Sequence, residues 1–115
     1  MNILKPLAAL VLMGGSALAQ DQSGHAMGAM PGHMAVMDKM MTSMNEMETT
    51  GNADADFLIM MIPHHQSAID MAEVELEHGS DAETREMARQ IIDAQKGEIA
   101  DMRAMLQRMG VEAPE

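Results

Sequence analysis

Three stretches of the chain carry apolar residues at alternating spacings of three and four, the period of one face of an α-helix. In the first, Met30, Met34, Met37, Met41 and Met44 form a heptad seam, widened by Met40 and Met47. It predicts a helix over 33–47, ended by Thr49-Thr50-Gly51-Asn52. In the second, Met60 or Met61, His64, Ala68 and Met71 share a stripe, with Met61, His65 and Ile69 beside it. Asn52 or Asp54 can cap this helix and Gly79 can end it. Pro63 lies inside and predicts a bend just before the histidines. Ser80-Asp81-Ala82-Glu83 reads as a capping box for a third helix, ended by Gly110. Its seam runs Ala88, Ile92, Gln95, Ile99, Met102, Leu106 and Met109, broadened by Ile91, Glu98 and Met105.

The pattern ahead of these helices is different. Lys5, the apolar run 7–13 and Ala17-Leu18-Ala19 make a charged start, a short apolar core and a small-residue site, the layout of a secretory signal peptide over 1–19. The apolar run is too short to span a bilayer, and no later stretch could, so no membrane span is expected after cleavage. Residues 20–32 are rich in glycine, methionine and histidine and predict a flexible tail. A helical domain over 33–110 and a C-terminal tail over 111–115 complete the plan. The short turn at Gly79 makes the second and third helices antiparallel neighbours. Counting back from it places Met102 level with about Phe57, and Ile99 with about Met60. The expected fold is all-α, an antiparallel bundle of about three helices.

Charge and composition narrow the function. Seven Lys and Arg face 18 Asp and Glu, a formal net charge of −11. Nucleic acid and anionic membrane, which are bound through basic charge, are poor partners for such a chain. There is no cysteine, hence neither a disulfide framework nor a thiolate site. Methionine occurs 17 times, 15 of them after residue 19, where leucine occurs three times. A helical core would ordinarily use leucine. Methionine packs well, but a substitution on this scale points to a use for the sulfur as well.

Thioether sulfur and imidazole nitrogen on one helical face suit a soft cation, Cu(I) above all, and Ag(I). In an oxidising compartment methionine keeps this affinity without being drawn into disulfides. The residues that carry the chemistry are Met60, Met61, His64, His65 and Met71, with Met102 as a neighbour across the helix pair. His25, Met27, Met30, His33, Met34 and Met37 form a second, gathering set. The phrases Phe57 to Gln66 and Ala68 to Ala72, then Ile91 to Gln95 leading to Glu98, Ile99 and Met102, resemble a family catalogued as domain of unknown function three-zero-five. Its copper-handling members include the periplasmic CopM-like proteins. The resemblance implies a ferritin-like bundle that binds copper through Met and His for sequestration, tolerance or transfer. It also implies a periplasmic or secreted location and exchange with other periplasmic copper-handling proteins. With three helices per chain, a homodimer would complete a four-helix bundle.

Two other classes compete. Glu75-Leu76-Glu77-His78 spells the Glu-x-x-His of dimetal carboxylate enzymes, with Glu98 as a further carboxylate and a second chain supplying the other half. Alternatively, a methionine surface could bind varied partners with no metal at all. No nucleophilic or phosphate-binding motif accompanies either, so a non-enzymatic copper binder is the expectation.

Overall fold

A computed structural model describes the backbone of residues 19–115 and the side chains of residues 28–115. Residues 1–18 of the signal-peptide segment and the side chains of His25 and Met27 lie outside what the structure describes. Three helices follow in order: α1 (Ala19–Asn45), α2 (Ala53–His78) and α3 (Ala82–Met109). There is no strand among the described residues. The fold is an all-α antiparallel bundle in which α2 packs against both α1 and α3, while α1 and α3 do not pack against each other. The helices thus form a single layer with α2 in the middle.

Local signals account for the ends. Asn52 caps α2, its side chain accepting from the amides of Asp54 (3.0 Å) and Ala55 (3.3 Å). The cap of α3 is Asp81, one residue later than a box opening at Ser80 would place it. Its carboxylate accepts from the Thr84 amide at 2.8 Å and the Thr84 hydroxyl at 2.7 Å. Gly110 closes α3 at φ +71°, with the Val111 amide donating to the Leu106 carbonyl in a Schellman arrangement. Gly79 ends α2 for a different reason. Its φ of −74° suits any residue, but a Cβ there would fall 2.7 Å from the Glu75 carbonyl oxygen. Arg85 then staples the α2–α3 turn, donating to the carbonyls of Leu76 (2.6 Å) and Gly79 (3.1 Å).

The expected flexible tail over 20–32 is helical, and α1 begins at Ala19. Packing explains how glycine and proline come to sit in a helix. Gly28 and Gly32, one turn apart, lie on the face of α1 turned to α2: a Cβ would meet the His78 ring at 3.1 Å and the Val74 methyls at 3.1 Å. Tertiary contact at these two positions overrides weak propensity. Further along, the Ser67 hydroxyl lies 3.2 Å from Met40 Sδ, and Lys39 lies 3.7 Å from Asp70. The α1–α2 loop is clamped by Asp56, whose carboxylate accepts from the Thr49 hydroxyl (2.7 Å), the Thr50 amide (2.7 Å) and the Thr50 hydroxyl (2.8 Å).

The buried stripe of α2 is Ala55, Leu58, Ile62, His65, Ile69 and Ala72, one notch round the helix from the Met60–His64–Met71 stripe. Leu58 and Ile62 meet Met102 and Leu106 of α3, and the segment from Val111 to Ala113 folds back onto this core beside Ile59. α2 runs through Pro63 as one helix. At Pro63 it forgoes the hydrogen bond to the Ile59 carbonyl, beside which the C-terminal segment passes.

Candidate metal centre

The tandem histidines separate. His65 is buried, at 9% exposure, and turns toward α3. Its Nδ1 lies 2.9 Å from the Met61 carbonyl oxygen and its Nε2 lies 2.5 Å from Glu98 Oε2. A carbonyl only accepts, so Nδ1 carries a proton and donates. That leaves Nε2 facing the carboxylate, with a proton between the two atoms at this distance, and a cation bound at Nε2 would take that proton's place. Metal-binding histidines are oriented in this way, one nitrogen donating to backbone and the other presented to the ion. His64 is exposed, its ring centroid 6.2 Å from that of His65 and tilted by 59°.

Around His65 lies a groove of about 410 Å³ between α2 and α3. Met61, Met102 and Met105 line it together with His65, Glu98 and Asp101. Three thioethers, one imidazole and two carboxylates therefore share one opening. Met102 is the neighbour of Met61 that the register count expected, and α2 and α3 pair as counted from Gly79. Glu98 and Met105 belong to the site as well. Their signal was present in the spacing Glu98, Met102, Met105, which puts them on the α3 face turned to Met61 and His65.

The other expected ligands lie elsewhere. Met60 is exposed, on the same face as His64. Met71 lines a separate cleft of about 260 Å³ with Ala68, Met87 and Ile91. Met30, Met34 and Met37 are exposed along α1, and the buried Nδ1 of His33 has no hydrogen-bond partner among the described residues. The six expected primary ligands are thus not one coordination sphere: Met61, His65 and Met102 come together, and Met60, His64 and Met71 do not join them. The Glu-x-x-His pair also divides. Glu75 lines the cleft with Met87, whereas His78 packs against Gly28 of α1. No three His, Asp or Glu side chains converge among the described residues.

A family model described as Domain of unknown function (DUF305) matches residues 7–106. The chain belongs to this family. The match takes in all of α2, and α3 as far as Leu106, and so every residue of the groove. No curated protein matches the DUF305 chain. None of its described helices is long and apolar enough to cross a membrane.

Proposed function

We propose that this DUF305 protein binds a soft monovalent cation, Cu(I) or its surrogate Ag(I), in the groove between α2 and α3, and serves copper sequestration or transfer outside the cytoplasm. The observation that carries the reading is the gathering of Met61, Met102 and Met105 around His65, with Nδ1 committed to the Met61 carbonyl. Thioethers and imidazole match a soft ion, and Glu98 beside them offsets its charge. The CopM-like resemblance and the secretory layout of residues 1–19 support the same reading. His64, Met60 and the α1 methionines are placed to take further ions at the surface or pass them on.

Competition with a colorimetric Cu(I) chelator tests it. The protein should withdraw copper from the chelator, and replacing Met61, Met102 and Met105 together by leucine should abolish the high-affinity component while helicity is kept. Full retention of colour by the chelator would end the proposal. Unchanged withdrawal by the triple variant would move the site elsewhere.

A further inference from the structure

One face of the helical layer has no cover. The Lys39–Asp70 pair marks the back of the layer. At 100° per residue, Met30, Met34, Met37 and Met41 lie about 140–180° round α1 from Lys39, and Phe57 and His64 lie about 120–140° round α2 from Asp70. The grooves that hold Met105 and Met87 of α3 open on the same side, beside Phe57 and Met71. Every exposed large hydrophobic among the described residues except Met60, about 80° round α2 from Asp70, therefore stands on the front. The back is treated differently, since the chain's own residues 111–113 fold onto the core there.

Seven such side chains, each about half exposed, offer on the order of 700 Å² of apolar surface. That is one partner's share of an ordinary stable interface, and more than monomers usually leave bare. We propose that a second copy of the chain closes this face, two layers meeting front to front about a two-fold axis. A two-fold interface must be complementary to itself. A row of unbranched methionines meets that condition, because it adapts to an identical row. The charge pattern favours the same occupant. Lys39 is tied to Asp70, and Arg85 to carbonyls at the α2–α3 turn, so neither is free to anchor the face on an anionic membrane. The dimer requires no metal and stands independently of copper binding.

Sedimentation velocity of the metal-free protein, with a chelator present, decides the matter. Across a dilution series the expected species is a dimer. It should tighten as salt is added, because salt screens the repulsion between two acidic copies. The double variant M37E/M41E should sediment as a monomer with unchanged helicity, since both positions are about half exposed and cost the single chain little. M37L/M41L should remain dimeric. A wild-type monomer throughout the series would overturn the proposal, as would M37E/M41E persisting as a dimer. Wild-type monomer that floats with zwitterionic vesicles would reassign the face to lipid.

Discussion

Two adjacent histidines of identical chemistry should behave as different residues. His65 donates to the Met61 carbonyl and meets Glu98, so replacing it by alanine removes one ordinary hydrogen bond and one charge-assisted contact. The first is worth about 1 kcal/mol and the second about 1.5–3 kcal/mol when shielded. The Glu98 side chain is 57% exposed and regains water when its partner is lost, which brings the second down to about 1 kcal/mol. Alanine's better helix propensity returns about 0.5 kcal/mol. With the partial loss of ring packing, the expected cost of H65A is about 2 kcal/mol. In a domain of this size that lowers the melting temperature by roughly 8–16 °C. For H64A only the propensity gain remains, and stability should hold or rise by about 0.5 kcal/mol. Urea and thermal unfolding followed by circular dichroism, at one protein concentration and with chelator present, reads both. Cu(I) affinity should fall at least tenfold in H65A and little in H64A. Equal destabilisation by the two changes, or a larger loss of affinity in H64A, would refute the assignment of separate roles.

Acid should loosen the helix ends. Hydrogen bonds from Thr49 and Thr50 hold the Asp56 carboxyl below its ordinary range, and those from Thr84 do the same for Asp81. A group whose folded-state pKa is depressed stabilises the fold above its unfolded value and loses that contribution as pH falls through the folded one. Thermal stability should therefore drop as pH is taken below about 4, and a D56A/D81A variant should show a shallower drop; an identical slope would mean that these clamps contribute nothing. At the α1–α2 contact, G32L should detach the first half of α1, because even a Cβ meets Val74 at 3.1 Å. Helical content should fall by a few turns while the α2–α3 pair still unfolds cooperatively. Unchanged helicity would show that α1 does not rely on this contact.

Periodicity and caps made the helices and their antiparallel order legible, because heptad seams and the glycines at 79 and 110 act over a few residues. Residues 20–32 were misjudged for the complementary reason. Gly28, Pro31 and Gly32 are poor helix formers by themselves, and what makes the segment helical is the fit of two glycines against Val74 and His78, far along the chain. The candidate site was half visible. The sequence displayed both histidines, and the register put Met102 near Met61. It could not tell which histidine turned inward, because His64 and His65 differ by 100° on α2 and the position of α3 decides between them. Glu98 was visible at the edge of the α3 seam, but its pairing with His65 was not, because that depends on the same choice.

A middle helix gripped from two sides and an outer one held from a single side give the molecule unequal halves. The paired half, α2 with α3, cannot come apart without dissolving the core, so the pocket between them is a fixed frame. The outer helix α1 adds no residue to that core, so its loss would leave the frame standing. On the proposed function, gathering would fall to the sulfurs of α1 and retention to the frame, in a chain whose described helices share only two seams.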